Sequence, residues 1–263
     1  MGKLLKADLF RIVKSKLFLI ICIIAGALPL LTVLLYFAVG KISTLVSEFA
    51  DIGTLVMNGR QLISESFILS SNMGLILPIF ITIFIAMDIS NGTLRNKIIA
   101  GRSRPSIYFS HLISACLVSG VLIFFNVAMF MAFTCLVFGY GAPIDSEEIV
   151  RIVYFFITGI FTFFFSASIS TAVTLAIKSS APAVIISVLV GMGLSIVSGL
   201  VHSADPMLAN QWFCLIPTYT NTAFLSAGKF PTTSFLLGLL SLIVGMGVLS
   251  VGGLAIFMKK DIK

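Results

Sequence analysis

The polar residues able to do chemistry are few, and they fall into three groups. The stretch DISNGTLRNKIIAGRSRPSIY, Asp88 to Tyr108, sets one acid and the cations Arg95, Lys97, Arg102 and Arg104 beside an Asn-Gly turn in an otherwise apolar chain. A row of hydroxyls, Thr158, Thr162, Ser166, Ser170 and Thr174, recurs every four residues, a period that winds slowly around one side of a helix. Such hydroxyls either bond a carbonyl one turn back and pack helices together, or form the polar wall of a translocation path. Asn126 is a lone amide within a long apolar run, suited to an interhelical hydrogen bond or to substrate contact.

Other chemistry lacks its residues. The two histidines, His111 and His202, fall on opposite sides by the topology below, too far apart to share a metal ion or a catalytic dyad. No HExxH occurs, and no serine nucleophile has a histidine at its depth. Cys22, Cys116, Cys135 and Cys214 have no metal-ligand spacing. The Gly-Lys pairs at Gly2, Gly40 and Gly228 are not framed as GxxxxGK[ST], so the chain has no phosphate-binding loop. Energy for uphill transport would have to come from another subunit.

The elements that must position these groups are membrane helices. Of 263 residues, 59% are hydrophobic and 10% charged, far from the balance of a soluble domain. Apolar runs free of Asp, Glu, Lys and Arg cover about 17–39, 67–87, 109–139, 152–177, 183–201 and 232–258. Each is about long enough to cross a hydrocarbon core of roughly 30 Å, so the chain reads as one all-α transmembrane domain over 1–263 with six spans. With no Asp, Glu, Lys or Arg in those runs, a proton-driven carrier is not expected.

Thirteen of the seventeen basic residues share one side, including Lys3, Lys6, Arg11, Lys14 and Lys16, the four cations of the island, and Lys259, Lys260 and Lys263. The positive-inside rule puts both termini and the island in the cytoplasm. The net charge of +7 thus follows membrane topology and implies no nucleic acid.

Residues 1–16 predict an interfacial helix with Leu5, Leu9, Ile12 and Val13 on its apolar face, unless these cations serve topology alone. Lys41 to Ser66 has helical apolar spacing suited to the outer leaflet. His202 to Pro231, broken at Pro206 and Pro217, predicts a re-entrant or interfacial segment with Trp212 and Tyr219 at headgroup depth. Small residues, Gly191, Ser195 and Gly199 in the fifth span and Ser241, Gly245 and Gly253 in the sixth, predict close helix contacts with this chain or a second copy.

Within the island, Ser90 or Asn91 can cap a short helix over Thr93 to Ala100, Gly92 loosens its entry and Gly101 ends it. Leu94 and Ile98 stack beside Ile99, while Arg95 and Lys97 face away from that stripe. Pro105 then bends the chain into the third span.

The order of these features resembles the permease subunits of type-2 ATP-binding-cassette exporters. It comprises a basic amphipathic N-terminus, a second span ending at Asp88, Asn-Gly-Thr-Leu, Ser-Arg-x-x-Ile-Tyr, and a broken aromatic segment before the last span. The resemblance covers essentially the whole chain and is sharpest from Asp88 to His111. It implies that the island is a coupling helix docking on a separate ATPase subunit that holds ATP and magnesium. This chain would then be no enzyme and need no cofactor of its own. By the same resemblance Asp88, Gly92, Thr93, Leu94, Arg95, Lys97, Ile98, Ile99, Arg102 and Arg104 belong to the ATPase-coupling region. Asp88 stands where the family usually has Glu, and His111 where Lys is expected. The resemblance further implies two permease chains, identical or different, in a bacterial cell membrane. Their cargo would be peptide antibiotics such as lantibiotics and bacitracin, giving resistance or immunity. The alternative from a different class is a non-transporting scaffold or sensor subunit that binds its partner through the same island.

Overall fold

The computed structural model describes residues 2–46, 59, 63, 66–70, 72–141, 144–204, 210–223 and 232–259. Among the described residues there is no strand, and the chain is a succession of helices. They are α1 (Gly2–Lys14), α2 (Lys16–Val46), α3 (Met73–Ser90), α4 (Thr93–Ile99) and α5 (Arg104–Phe138). After these come α6 (Ser146–Ile177), α7 (Ser180–Ala204), α8 (Tyr219–Ala223) and α9 (Thr232–Lys259), with a 3-10 turn at Gln211–Leu215 before α8. Six of them, α2, α3, α5, α6, α7 and α9, are long and apolar enough to cross a membrane. A helix suits that task because its backbone groups bond one another where water is absent.

The spans differ in how much of them the rest of the chain covers. The most apolar windows of α3 and α6 are 61% and 56% buried, against 22% for α2 and α9 and 17% for α7. Thus α3 and α6 form the inside of the bundle, while α2 and α7 turn rows such as Leu19, Ile23, Leu31 and Ile185, Leu189, Ile196 outward. Outward apolar rows are what a lipid solvent permits. α6 packs against α9, α5, α3 and α7, and α2 packs along α5.

Several boundaries shift from those read in the sequence, each for a local reason. The second span starts at Met73 rather than near Phe67, because Phe67 turns inward and packs edge-on against Phe155 at 4.8 Å. It also runs on to Ser90, so Asp88 lies inside a spanning helix. The third span begins at Arg104, with Pro105 in its first turn, where a missing N–H costs nothing. The fourth begins at Ser146, taking Glu147, Glu148 and Arg151 into its opening turns.

α1 and α2 are separated by Ser15, whose hydroxyl accepts from the Phe18 N–H at 3.1 Å and caps the start of α2. The buried row of α1 is Leu4, Asp8 and Ile12, not Leu5, Leu9, Ile12 and Val13; Val13 is exposed. The reason is that an acid belongs to the inner face, for which a search for apolar residues does not look.

Most of Lys41 to Ser66 lies outside the described residues. Within the segment between the fifth and sixth spans, Trp212 is exposed, whereas Tyr219 and Cys214 are fully buried among Val201, Phe213, Ile216 and Leu237. Tyr219 is therefore a packing residue rather than a headgroup anchor. Glycines of α9 sit against this chain's own helices, Gly245 against Phe165 and Gly253 against Tyr108 and Ala172. A Cβ added at Gly191 or Gly199 of α7 would meet no neighbouring group within 4 Å among the described residues, so neither glycine is required for close contact with another helix of this chain.

Candidate functional site

The island folds much as its punctuation suggests, but not with the expected caps. Gly92, at φ 68°, is the residue before α4 and takes the left-handed conformation a side chain would resist. Ser90 and Asn91 make no cap for α4; the Ser90 hydroxyl donates to Met87 O at 3.2 Å and belongs to the end of α3. Thr93 Oγ1 donates to the carbonyl of Asp88 at 2.9 Å, folding α4 back onto the last turn of α3. α4 ends at Ile99, and Gly101, at φ 75°, closes it through a bond from its N–H to Ile98 O at 2.9 Å.

That fold-back gives α4 two sides. Leu94 is buried and Ile98 half-buried against the bundle core. Arg95, Asn96, Ile99 and Arg102 are exposed, Ile99 to 73%. Lys97 does not face away as the stripe predicted. Its ammonium donates to Asp8 Oδ1 at 2.7 Å and to Asp88 Oδ2 at 3.2 Å, leaving its side chain only 17% exposed. Arg104 also turns to the bundle, donating to Met258 O at 2.8 Å and joining the start of α5 to the end of α9.

Lys97 is one member of a charged knot drawn from four helices. Arg11 of α1 forms an ion pair with Asp88 of α3, with Nη2 donating to Oδ2 at 2.6 Å. Its guanidinium also lies over the Phe84 ring, 4.7 Å from the centroid. Asp8, 2% exposed, receives Lys97 from α4 and the Ser110 hydroxyl of α5 at 2.7 Å. His111 completes the group, its Nε2 3.6 Å from Asp88 Oδ2. With a neutral imidazole, two carboxylates are balanced by one guanidinium and one ammonium. That balance is what makes burial tolerable, because an unpaired charge would cost several kcal/mol. Asp88 needs it particularly, since it sits in the last turn of α3 among carbonyls that disfavour an anion.

Two sequence-based readings change here. An acid does lie within a spanning helix, and His111 is part of the one buried group of charges among the described residues that joins α1, α3, α4 and α5. The missed members were Asp8, Arg11 and Ser110. Only the position of Asp8 on the inner side of a helix otherwise ringed by lysines offered a signal. His111 also lines a small cavity with Ile12, Phe84, Ser114 and Val118, and neither ring nitrogen has a hydrogen-bond partner in the protein. The cavity has room for about one water molecule at most. Among the described residues, no cluster of His, Cys, Asp and Glu is arranged to hold a metal ion. The knot ties α1, α3, α4 and α5 together through charge-assisted hydrogen bonds.

The hydroxyl row on α6 has a different geometry. Thr158, Thr162, Ser166, Ser170 and Thr174 are all buried inside the bundle. Thr162 donates to Thr158 O at 2.9 Å, Ser170 to Ser166 O at 3.1 Å and Thr174 to Ser170 O at 2.5 Å. Thr162 in turn accepts from Asn221 Nδ2 of α8 at 2.8 Å. Asn126 of α5 donates to Ala25 O of α2 at 2.8 Å, an interhelical bond at depth.

A family model described as "Protein of unknown function (DUF2705)" matches residues 12–263, which takes in Asp88, Lys97 and His111 and leaves out Asp8 and Arg11. No curated protein matches the chain at a significant level. The match extends over nearly the whole sequence, and the chain belongs to the DUF2705 family.

Proposed function

We propose that this chain is the membrane subunit of an ATP-driven exporter, similar to type-2 ATP-binding-cassette permeases. In this reading a separate ATPase subunit binds ATP and magnesium and docks on the outer side of α4. The observation that carries it is the two-sidedness of that seven-residue helix. Its inner side is tied to three other helices through Leu94, Thr93 and Lys97, and its outer side offers Arg95, Asn96, Ile99 and Arg102. A short helix exposed on one side and knotted to the spans on the other can convert a push from a partner into movement of helices. Its cations beside an apolar Ile99 suit an acidic groove with an apolar floor.

The remainder follows the resemblance. Two permease chains, identical or different, form the pathway in a bacterial cell membrane with both termini in the cytoplasm. The cargo is an amphipathic molecule such as a peptide antibiotic, and its export confers resistance or immunity. The hydroxyl row and Asn126 serve helix packing within one chain, so the path itself lies at the surface that two chains share.

Co-expression with an ATP-binding-cassette ATPase, which this reading expects to be encoded nearby, tests the docking. A stable complex is expected, with Arg95→Glu and Arg102→Glu weakening it at least tenfold while the permease still folds. Reconstituted vesicles should show ATPase activity stimulated by a membrane-active peptide. If the complex forms but no peptide stimulates hydrolysis or crosses the membrane, the chain is a scaffold or sensor subunit instead. Indifference of the complex to changes throughout 88–104 would remove the docking role.

A further inference from the structure

The outer face of α1 has no role in the knot, yet its composition is far from neutral. With Asp8, Leu4 and Ile12 facing the bundle, the opposite arc of about 100° holds Lys3, Lys6, Phe10, Val13 and Lys14. Phe10 is 66% exposed and Val13 58%, and all three lysines are exposed. The single acid of this helix, Asp8, is on the other side.

The position of this face selects its partner. Ser15 alone separates α1 from α2, so Phe10, Val13 and Lys14 lie within about 10 Å of the start of the first apolar span. That distance is little more than the roughly 5–8 Å thickness of one headgroup layer. α1 also keeps to the flank of α5: Asp8 meets Ser110, Ile12 shares the cavity with Ser114, and farther along Asn126 meets Ala25. The partners advance together, so α1 and α2 follow α5 in one direction. A face turned away from α5 at this level looks sideways along the membrane surface, not down onto a soluble subunit. Large apolar side chains between flexible cations are the composition of a headgroup-binding surface, the rings entering the acyl boundary while the ammonium groups meet phosphate.

We propose that Lys3, Lys6, Phe10, Val13 and Lys14 form a binding surface for anionic phospholipid headgroups. It fastens the outer side of α1 to the leaflet while Asp8 and Arg11 fasten its inner side to the bundle. The proposal stands on the geometry of α1 and does not depend on the exporter reading.

The test uses the full chain in bilayer nanodiscs of equal parts phosphatidylglycerol and phosphatidylcholine, with Phe10→p-benzoylphenylalanine as a photocrosslinker. Each lysine near an anionic surface contributes roughly a fivefold preference. Adducts should therefore favour phosphatidylglycerol by about tenfold or more, falling towards parity at 1 M salt, where the screening length is about 3 Å. Lys3→Gln, Lys6→Gln and Lys14→Gln together should abolish the preference while adducts to lipid persist. The salt series on the parent protein decides the matter even if that triple variant misfolds. Equal labelling of the two lipids at low salt would overturn the proposal. So would adducts formed chiefly with a protein, whether a second copy or a co-expressed ATPase.

Discussion

The charged knot and the hydroxyl row are both buried in the bundle, and they are satisfied in opposite ways. In the row, hydroxyls of Thr162, Ser170 and Thr174 bond carbonyls of their own helix four residues earlier. In the knot, bonded partners stand 77, 89 and 102 residues apart and come from different helices. A group that bonds its own helix asks nothing of the fold, and can be carried wherever the helix goes. A carboxylate that needs cations from two other helices holds all three in place. Hence the row is compatible with many packings, whereas the knot specifies one.

That difference can be broken most severely at Asp88. Asp88→Ala should cost on the order of 3 kcal/mol, because Arg11 and Lys97 lose their shared carboxylate. Water reaching Arg11, 36% exposed, keeps the loss from being larger. Denaturant unfolding in detergent would measure it, and a loss below about 1 kcal/mol would mean that the knot is effectively solvated.

Asp8→Leu should follow, at about 2 kcal/mol, since it frees Lys97 from one of its two acids and removes the acceptor of Ser110. Combining it with Lys97→Met sharpens the point: the double variant should recover at least about 1 kcal/mol of the summed single losses, the coupling expected of partners in one network. Strict additivity would deny that Asp8 and Lys97 interact.

Asn221→Leu should cost less, roughly 0.6 kcal/mol and no more than about 1.7, as for other hydrogen bonds between membrane helices. The smallest effect belongs to Ser170→Ala and Thr174→Val, each within about 0.5 kcal/mol, because the carbonyls they release still bond within the helix. A loss above 2 kcal/mol at either hydroxyl would show that the row, too, is a tertiary device.

Much of the scaffold was legible because the bilayer constrains it so strongly. Runs of about twenty apolar residues have few alternatives to a spanning helix, and the six helices appear where those runs lie. The island's short helix was equally readable, since Gly92 and Gly101 punctuate it in sequence and take positive φ in the structure. What misled was the treatment of polar residues as outward by default. Helical spacing points Lys97 away from the bundle, gives Asp8 and His111 no partner and sets Tyr219 at headgroup depth; in the structure all four are turned inward. Helical periodicity gives the direction of a side chain relative to its neighbours on one helix, never which neighbouring helix waits there.

The amino-acid sequence by itself therefore determined the six long apolar helices and the short helix of the island, because each depends on residues within a turn or two of one another and on the solvent. Only the tertiary structure decided that Asp8, Arg11, Asp88, Lys97 and Ser110 meet, with His111 against them. The physical reason is that a buried charge is stable only with its counter-charge, and where that counter-charge lies depends on how four separate helices come together.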